Sequence, residues 1–174
     1  IQSLRSKFTN EAFLAMKKEF PDGADESIAR FLIARNGDIS KAIPFLQASI
    51  IWRSENLPVK TNEIVNELKK GKVYLHGQDK NEHALIVYRG KLNFPKERDI
   101  VEMVKMCIWW MEAAIAALPE DRSQISFLFD RTGSSSTNMD VDFVKALAKV
   151  MQDNYPERLH KIILHPVGVL FYTG

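Results

Sequence analysis

Hydrophobic positions recur at helical spacing through the first third of the chain. In "TNEAFLAMKKEF" Phe13, Met16 and Phe20 fall three or four apart, and Thr9 is the expected N-cap. In "PDGADESIARFLIARNG" the spacing of Ile28, Phe31, Leu32 and Arg35 predicts a second helix, stopped by Asn36-Gly37. A third follows in "DISKAIPFLQASIIWRSE", capped by Asp38 or Ser40. Its Pro44 suits the first turn of a helix better than its interior, because proline has no amide to donate to the helical ladder. The periodicity breaks at "SENLPVKTNE", residues 54–63.

Beyond the break the pattern changes. "KVYLHG" and "HALIVYRG" are short and β-rich, and the polar turn "QDKNE" between them predicts a hairpin. "ERDIVEMVKMCIWWMEAAIAAL" has an acidic first turn and then apolar residues nearly all round, which predicts a mostly buried helix. "QISFLFD" reads as a strand, "VDFVKALAKVMQDNY" as a helix capped by Asp140, and "HKIILH" as a strand. The β-α-β-α-β order, with strands as apolar as Ile125 to Phe129, predicts an α/β fold. A three-helix module over 1–58 is expected to precede a mostly parallel sheet covered by helices over 59–174, with right-handed crossovers.

Composition narrows the function classes. The 174 residues are 45% hydrophobic and 26% charged, ordinary for a globular chain with a substantial core. A net charge of +2, with no basic run interleaved with aromatics, gives no support for nucleic-acid binding. The one cysteine, Cys107, rules out a disulfide within the chain and points to a reducing compartment. The first residues have no apolar signal core, and the apolar run from Met106 to Leu118 is interrupted by Glu112 and too short for a bilayer. The expectation is a soluble, cytoplasmic protein, with peripheral membrane contact left open. Lys69, Lys70, Lys72, Arg89, Lys91, Lys96 and Arg98 flank the hairpin and form a candidate docking patch for an anionic membrane.

Candidate catalytic chemistry is sparse. "DRTGSSSTNMD" follows a strand, where α/β sheets place functional groups, and Asp130, Gly133 and its hydroxyls suggest a phosphate cradle. Phosphate-loop spacing is absent, so a polar loop ahead of a capped helix is the plainer reading. His76, His83, His160 and His165 show no metal-ligand spacing on a helix, and Cys107 sits among apolar residues as a structural thiol. No enzyme activity, metal or cofactor is expected. Ile108, Trp109, Trp110, Met111 and Ile115 crowd one helix, and Phe127 and Phe129 share one sheet face by alternation. Either they form a large core or they wall a cavity for an apolar ligand.

A resemblance favours the cavity. "NYPERLHKIIL", with the preceding "FVKALAKVMQD", resembles the CRAL-TRIO lipid-binding family, in which a helix ends in a Tyr-Pro turn followed by a basic residue and a buried strand. Tyr155, Pro156, Glu157 and Arg158 match that turn. Upstream, Arg30-Phe31-Leu32, Ala34-Arg35, Asp38 and Trp52-Arg53 resemble the family's helical module, with Trp52 expected to anchor it. "ALIVYRGKL" and "ISFLFDRTGSSSTNM" resemble two of its strands with the loop after the second. The likeness runs in order over about 25–171.

It implies a non-enzymatic domain that binds, and in the wider sense transfers, one hydrophobic lipid: a phosphoinositide, a phospholipid or an isoprenoid-like molecule. Tyr88, Ile108, Met111, Ile115, Phe127, Phe129 and Ile163 are the implied lipid-binding residues. The rival implication is a lipid-sensing or regulatory interaction module of a larger signalling protein. The segment "HPVGVLFYTG" departs from the family by lacking the small residue before Pro166, and the family's gate helix and headgroup residues have no counterpart before Gly174. A strand as apolar as "KIIL" is expected to be interior to its sheet. A truncated chain, self-associating through its open pocket face, is therefore the further expectation.

Overall fold

The computed structural model describes residues 6, 10–21, 23–119 and 121–167. Three helices open the chain: α1 (Asn10–Glu19), α2 (Ala24–Ile33) and α3 (Ile39–Asn56). A short α4 (Val65–Lys69) precedes strands β1 (Val73–Gln78) and β2 (Ala84–Arg89). Then come α5 (Ile100–Ala116), β3 (Ile125–Asp130), α6 (Val141–Asn154) and β4 (Leu159–His165). The fold is the α/β arrangement that the alternation predicts.

The chain divides into two compact units, Ile1–Pro58 with Ala148–Arg158, and Val59–Leu147 with Leu159–Gly174. In the first, Met16, Phe20, Ile28, Phe31 and Leu46 form the core, with the Phe20 and Phe31 rings edge-on at 5.9 Å. Asp38 caps α3 by accepting from the Lys41 amide at 3.3 Å. Pro44 lies inside α3, five residues after its start, contrary to the first-turn expectation. The helix continues past it because Leu46 and Ser49 are buried, and packing outweighs one lost hydrogen bond. Arg53 is buried too, donating to the Glu19 carbonyl at 2.6 Å and lying over the Phe20 ring. Trp52 meets the Tyr155 ring edge-on at 6.1 Å. The Tyr-Pro turn is buried at Tyr155, Pro156 and Arg158, while Glu157 takes φ 58. The expected cap Thr9 and the segment after Val167 lie outside the described residues.

In the second unit the sheet order is β1-β2-β3-β4. β1 and β2 form the antiparallel hairpin, and β2-β3 and β3-β4 are parallel. The register places Ile86, Phe127 and Ile162 on one face in a row, and Tyr88, Phe129 and Leu164 in the next. Met103, Met106 and Met111 of α5 are fully buried, consistent with the apolar excess of that helix. Among the described residues β4 lies at the sheet edge, with Ile162 52% and Leu164 41% exposed, although its composition is that of an interior strand.

Candidate ligand cleft

β2 and β3 run side by side and finish together, and their last residues build the site. Tyr88 pairs with Phe129 in register, and their rings lie 5.3 Å apart. Phe143, two residues into α6, stacks on Tyr88 at 5.8 Å and 22°. These three rings floor a cleft of about 490 Å³ at the carboxyl ends of the strands. That volume falls within the range of about 300–1,000 Å³ common to small-molecule pockets, and the carboxyl ends of parallel strands are where α/β sheets place ligands. Met139, Val141 and Val144 extend the apolar wall and are more than half exposed.

The rim is polar. The loop from Arg131 to Asp140 supplies Ser134, Ser135, Ser136 and Asn138, and α6 adds Lys145. Asp130 folds this loop rather than facing a substrate: its Oδ1 accepts from the Thr132 amide at 2.9 Å, and that hydrogen bonding holds its carboxyl below the usual aspartate range. Gly90 allows the loop to close against β2, because a Cβ there would meet Ser134 Oγ at 2.8 Å. Ser134 Oγ is buried and has no hydrogen-bond partner among the described residues. Such a hydroxyl, at the edge of a cleft, is a ready partner for a polar ligand atom. Burial raises the Tyr88 phenol above its usual value, so it stays neutral.

Behind the rim lies a buried polar network. Lys72 is 1% exposed and ion-pairs with Glu67 at 2.8 Å while donating to Asn93 Oδ1 at 3.0 Å. Asn93 in turn donates to Asp140 Oδ2 at 3.3 Å, and Arg98 grips both Asp140 oxygens at 2.8 Å. Asn138 locks the loop by donating to the Asn93 carbonyl at 2.9 Å. Burial lowers the Lys72 ammonium, only partly opposed by Glu67. Burial alone would raise Glu67, but hydrogen bonds from Lys70 and Lys72 hold its carboxyl below the usual glutamate range. The hydrogen bonds from Arg98 hold Asp140 down at about 2. Asp140 also caps α6 through the Phe143 amide at 3.0 Å, so the network fixes both the loop and the aromatic floor.

Sequence reasoning missed this network, because a lysine in a charged run beside a hairpin reads as surface. It also changes the docking patch: Lys72 is buried, Lys70 and Arg98 are ion-paired, and Arg89 donates to the Gly71 carbonyl. Lys69, Lys91 and Lys96 remain exposed.

Of the seven residues implied as lipid-binding, Tyr88 and Phe129 line the cleft. Phe127 shares their face one row deeper and is 5% exposed, lining a void of about 10 Å³ with Cys107 and Ile86. Ile108, Met111 and Ile115 are buried along α5 and do not line the cleft. Ile163 pairs with Leu128 and faces the other side of the sheet. Cys107 is buried, which pushes its thiol up to about 12 and keeps it protonated.

The family model for the CRAL/TRIO domain matches residues 68–173, spanning all four strands and α5 and α6. The chain belongs to the CRAL/TRIO family. It is 27% identical over 161 residues to CRAL-TRIO domain-containing protein C3H8.02 of Schizosaccharomyces pombe, a match covering 86% of this chain and 36% of that protein. It is 30% identical over 176 residues to phosphatidylinositol transfer protein CSR1 of Eremothecium gossypii, covering 90% and 40%. The chain thus spans about two fifths of the length of these relatives. The crystal structure of Sfh5 superposes with a TM-score of 0.70 at 20% identity, over 98% of this chain and 72% of that one, which establishes the shared fold. No helix among the described residues is long and apolar enough to cross a membrane.

Proposed function

We propose that this chain binds a single hydrophobic lipid non-enzymatically, with the cleft at the ends of β2 and β3 taking part of the ligand. The carrying observation is the pairing of an aromatic floor, Tyr88, Phe129 and Phe143, with a partnerless buried hydroxyl, Ser134, at its rim. An apolar chain laid on the floor leaves water, which contributes about 0.8 kcal/mol per methylene. A polar head then meets the serines, Asn138 and Lys145 instead of apolar wall. Family membership supports this ligand class, and the relative named as a phosphatidylinositol transfer protein makes a phosphoinositide the first lipid to try. Transfer between membranes is the extension of that reading, with Lys69, Lys91 and Lys96 as the exposed cations available to an anionic surface.

The test is loading. The untagged chain is incubated with vesicles of phosphatidylcholine and phosphatidylinositol, separated from them, and weighed by native mass spectrometry. A discrete mass addition of one lipid is the expected result. Protein that emerges without lipid, while remaining folded, overturns the proposal.

A further inference from the structure

At the opposite end of the sheet, where β2, β3 and β4 begin, a second cluster brings His160 to Asp79 and His83, which stand four residues apart in the hairpin turn. Asp79 follows β1, His83 precedes β2, and His160 is the second residue of β4. One ligand atom from each lies within 4.8 Å of the others. His83 Nδ1 stands 3.4 Å from Asp79 Oδ1. Two donors each about 2.1 Å from a tetrahedral ion lie about 3.4 Å apart. His83 is 8% exposed, and its Nδ1 is buried with no hydrogen-bond partner among the described residues. We propose that Asp79, His83 and His160 form a binding site for a divalent transition-metal ion, Zn²⁺ being the best fit to two imidazoles and one carboxylate.

The surroundings are those of a held ligand. Asp79 Oδ1 accepts from the Asn81 and His83 amides at 2.8 and 3.1 Å, and its Oδ2 accepts from Ser126 Oγ at 2.8 Å and from Lys161 Nζ at 3.2 Å. The two amides and Ser126 orient the carboxylate as outer contacts do, whereas the Lys161 ammonium is a competing cation on Oδ2. His160 is the extra residue of a bulge in β4: Ile125 pairs with Leu159 and Ser126 with Lys161, leaving His160 unpaired between them. Bulges re-aim side chains in this way. The bulge lays the His160 ring on that of His83 at 3.7 Å and 13°. Parallel rings do not point their nitrogens at one ion, so binding requires His160 to turn out of the stack. It is exposed, and turning out costs its ring the stack and the 3.4 Å contact of Nε2 with Asn81 Nδ2. A Ser-His-Asp catalytic reading fails here on order: Asp79 stands between Ser126 and His83, so no imidazole accepts the serine proton. The site is independent of the cleft reading.

The test uses the untagged, chelator-stripped 174-residue chain titrated with Co²⁺ and Zn²⁺, read by the visible absorption of tetrahedral Co²⁺ and by calorimetry. One equivalent should bind. His160→Ala should weaken binding by roughly tenfold or more, since even outer-shell losses cost about 10–100-fold. His83→Ala should do the same if it folds, and because His160 is exposed its variant keeps the test decisive if His83→Ala does not. His76→Ala with His165→Ala should leave the affinity unchanged. Binding that is absent, or that survives His160→Ala, or that disappears with His76 and His165 instead, overturns the proposal.

Discussion

Where β2 and β3 begin, Ala84, Ile125 and Ser126 are buried, and Asp79 accepts from four donors, although the buried His83 Nδ1 there has no hydrogen bond among the described residues. Where the same strands finish, Tyr88 and Phe129 are only half-buried, and a buried hydroxyl lacks a partner. Burial therefore falls along each strand toward its carboxyl end. The contrast teaches that incompleteness is local. Ile86 and Phe127 are sealed, while the carboxyl ends of β2 and β3 are left open around a lining that is apolar with a polar margin. A core that failed to close by chance would not also place a salt-bridged network under its rim.

The sharpest way to break this contrast is to attack the network that holds the open end in shape. Glu67→Ala should cost about 3–5 kcal/mol, because it leaves Lys72 buried and uncompensated. Replacing both partners, Glu67→Leu with Lys72→Met, should recover most of the loss. Urea denaturation measures both. A single variant as stable as the parent would mean the pair is hydrated and the rim is not held as described.

Next in size is the pair of aspartates along β3. Phe127→Asp places a carboxylate at a 5% exposed position without a partner and should cost several kcal/mol and destabilise the unit. Phe129→Asp, one row toward the open end, should leave the melting temperature within a few degrees of the parent and abolish lipid loading. Equal thermal effects of the two changes would show that the floor is ordinary core.

Acid titration sharpens the account of the rim. Arg98 depresses the Asp140 carboxyl to about 2, whereas an unfolded aspartate titrates near about 3.9. A depressed carboxyl contributes its stability above the unfolded value and loses it as pH falls through the folded one. Stability should therefore drop between about pH 4 and pH 2, and Asp140→Asn should flatten that segment of the profile. Smallest is Ser134→Ala, expected to weaken lipid binding by about 0.5–1.5 kcal/mol, the net worth of one hydrogen bond, with unchanged melting.

Much of the fold is legible in the sequence because its elements carry their own periods. The three helices, the hairpin and both crossovers follow from spacing, and only Pro44 was placed in the wrong part of its helix. The site is legible only in part. Alternation alone puts Phe127 and Phe129 on one face, and the register then joins Tyr88 to them. Ile163 falls on the other face because register across parallel strands depends on a bulge at His160 that no local pattern announces. For the same reason the meeting of Asp79, His83 and His160 is invisible in sequence. Lys72 is hidden differently: its burial depends on Glu67 and Asn93 arriving from separate elements.

The most direct test of the central claim compares the parent chain with Phe129→Asp after exposure to mixed phosphatidylcholine and phosphatidylinositol vesicles, each weighed by native mass spectrometry and melted in parallel. The account predicts one bound lipid on the parent, none on the variant, and nearly equal melting temperatures. A parent chain without lipid, or a variant loaded as fully as the parent, would contradict it.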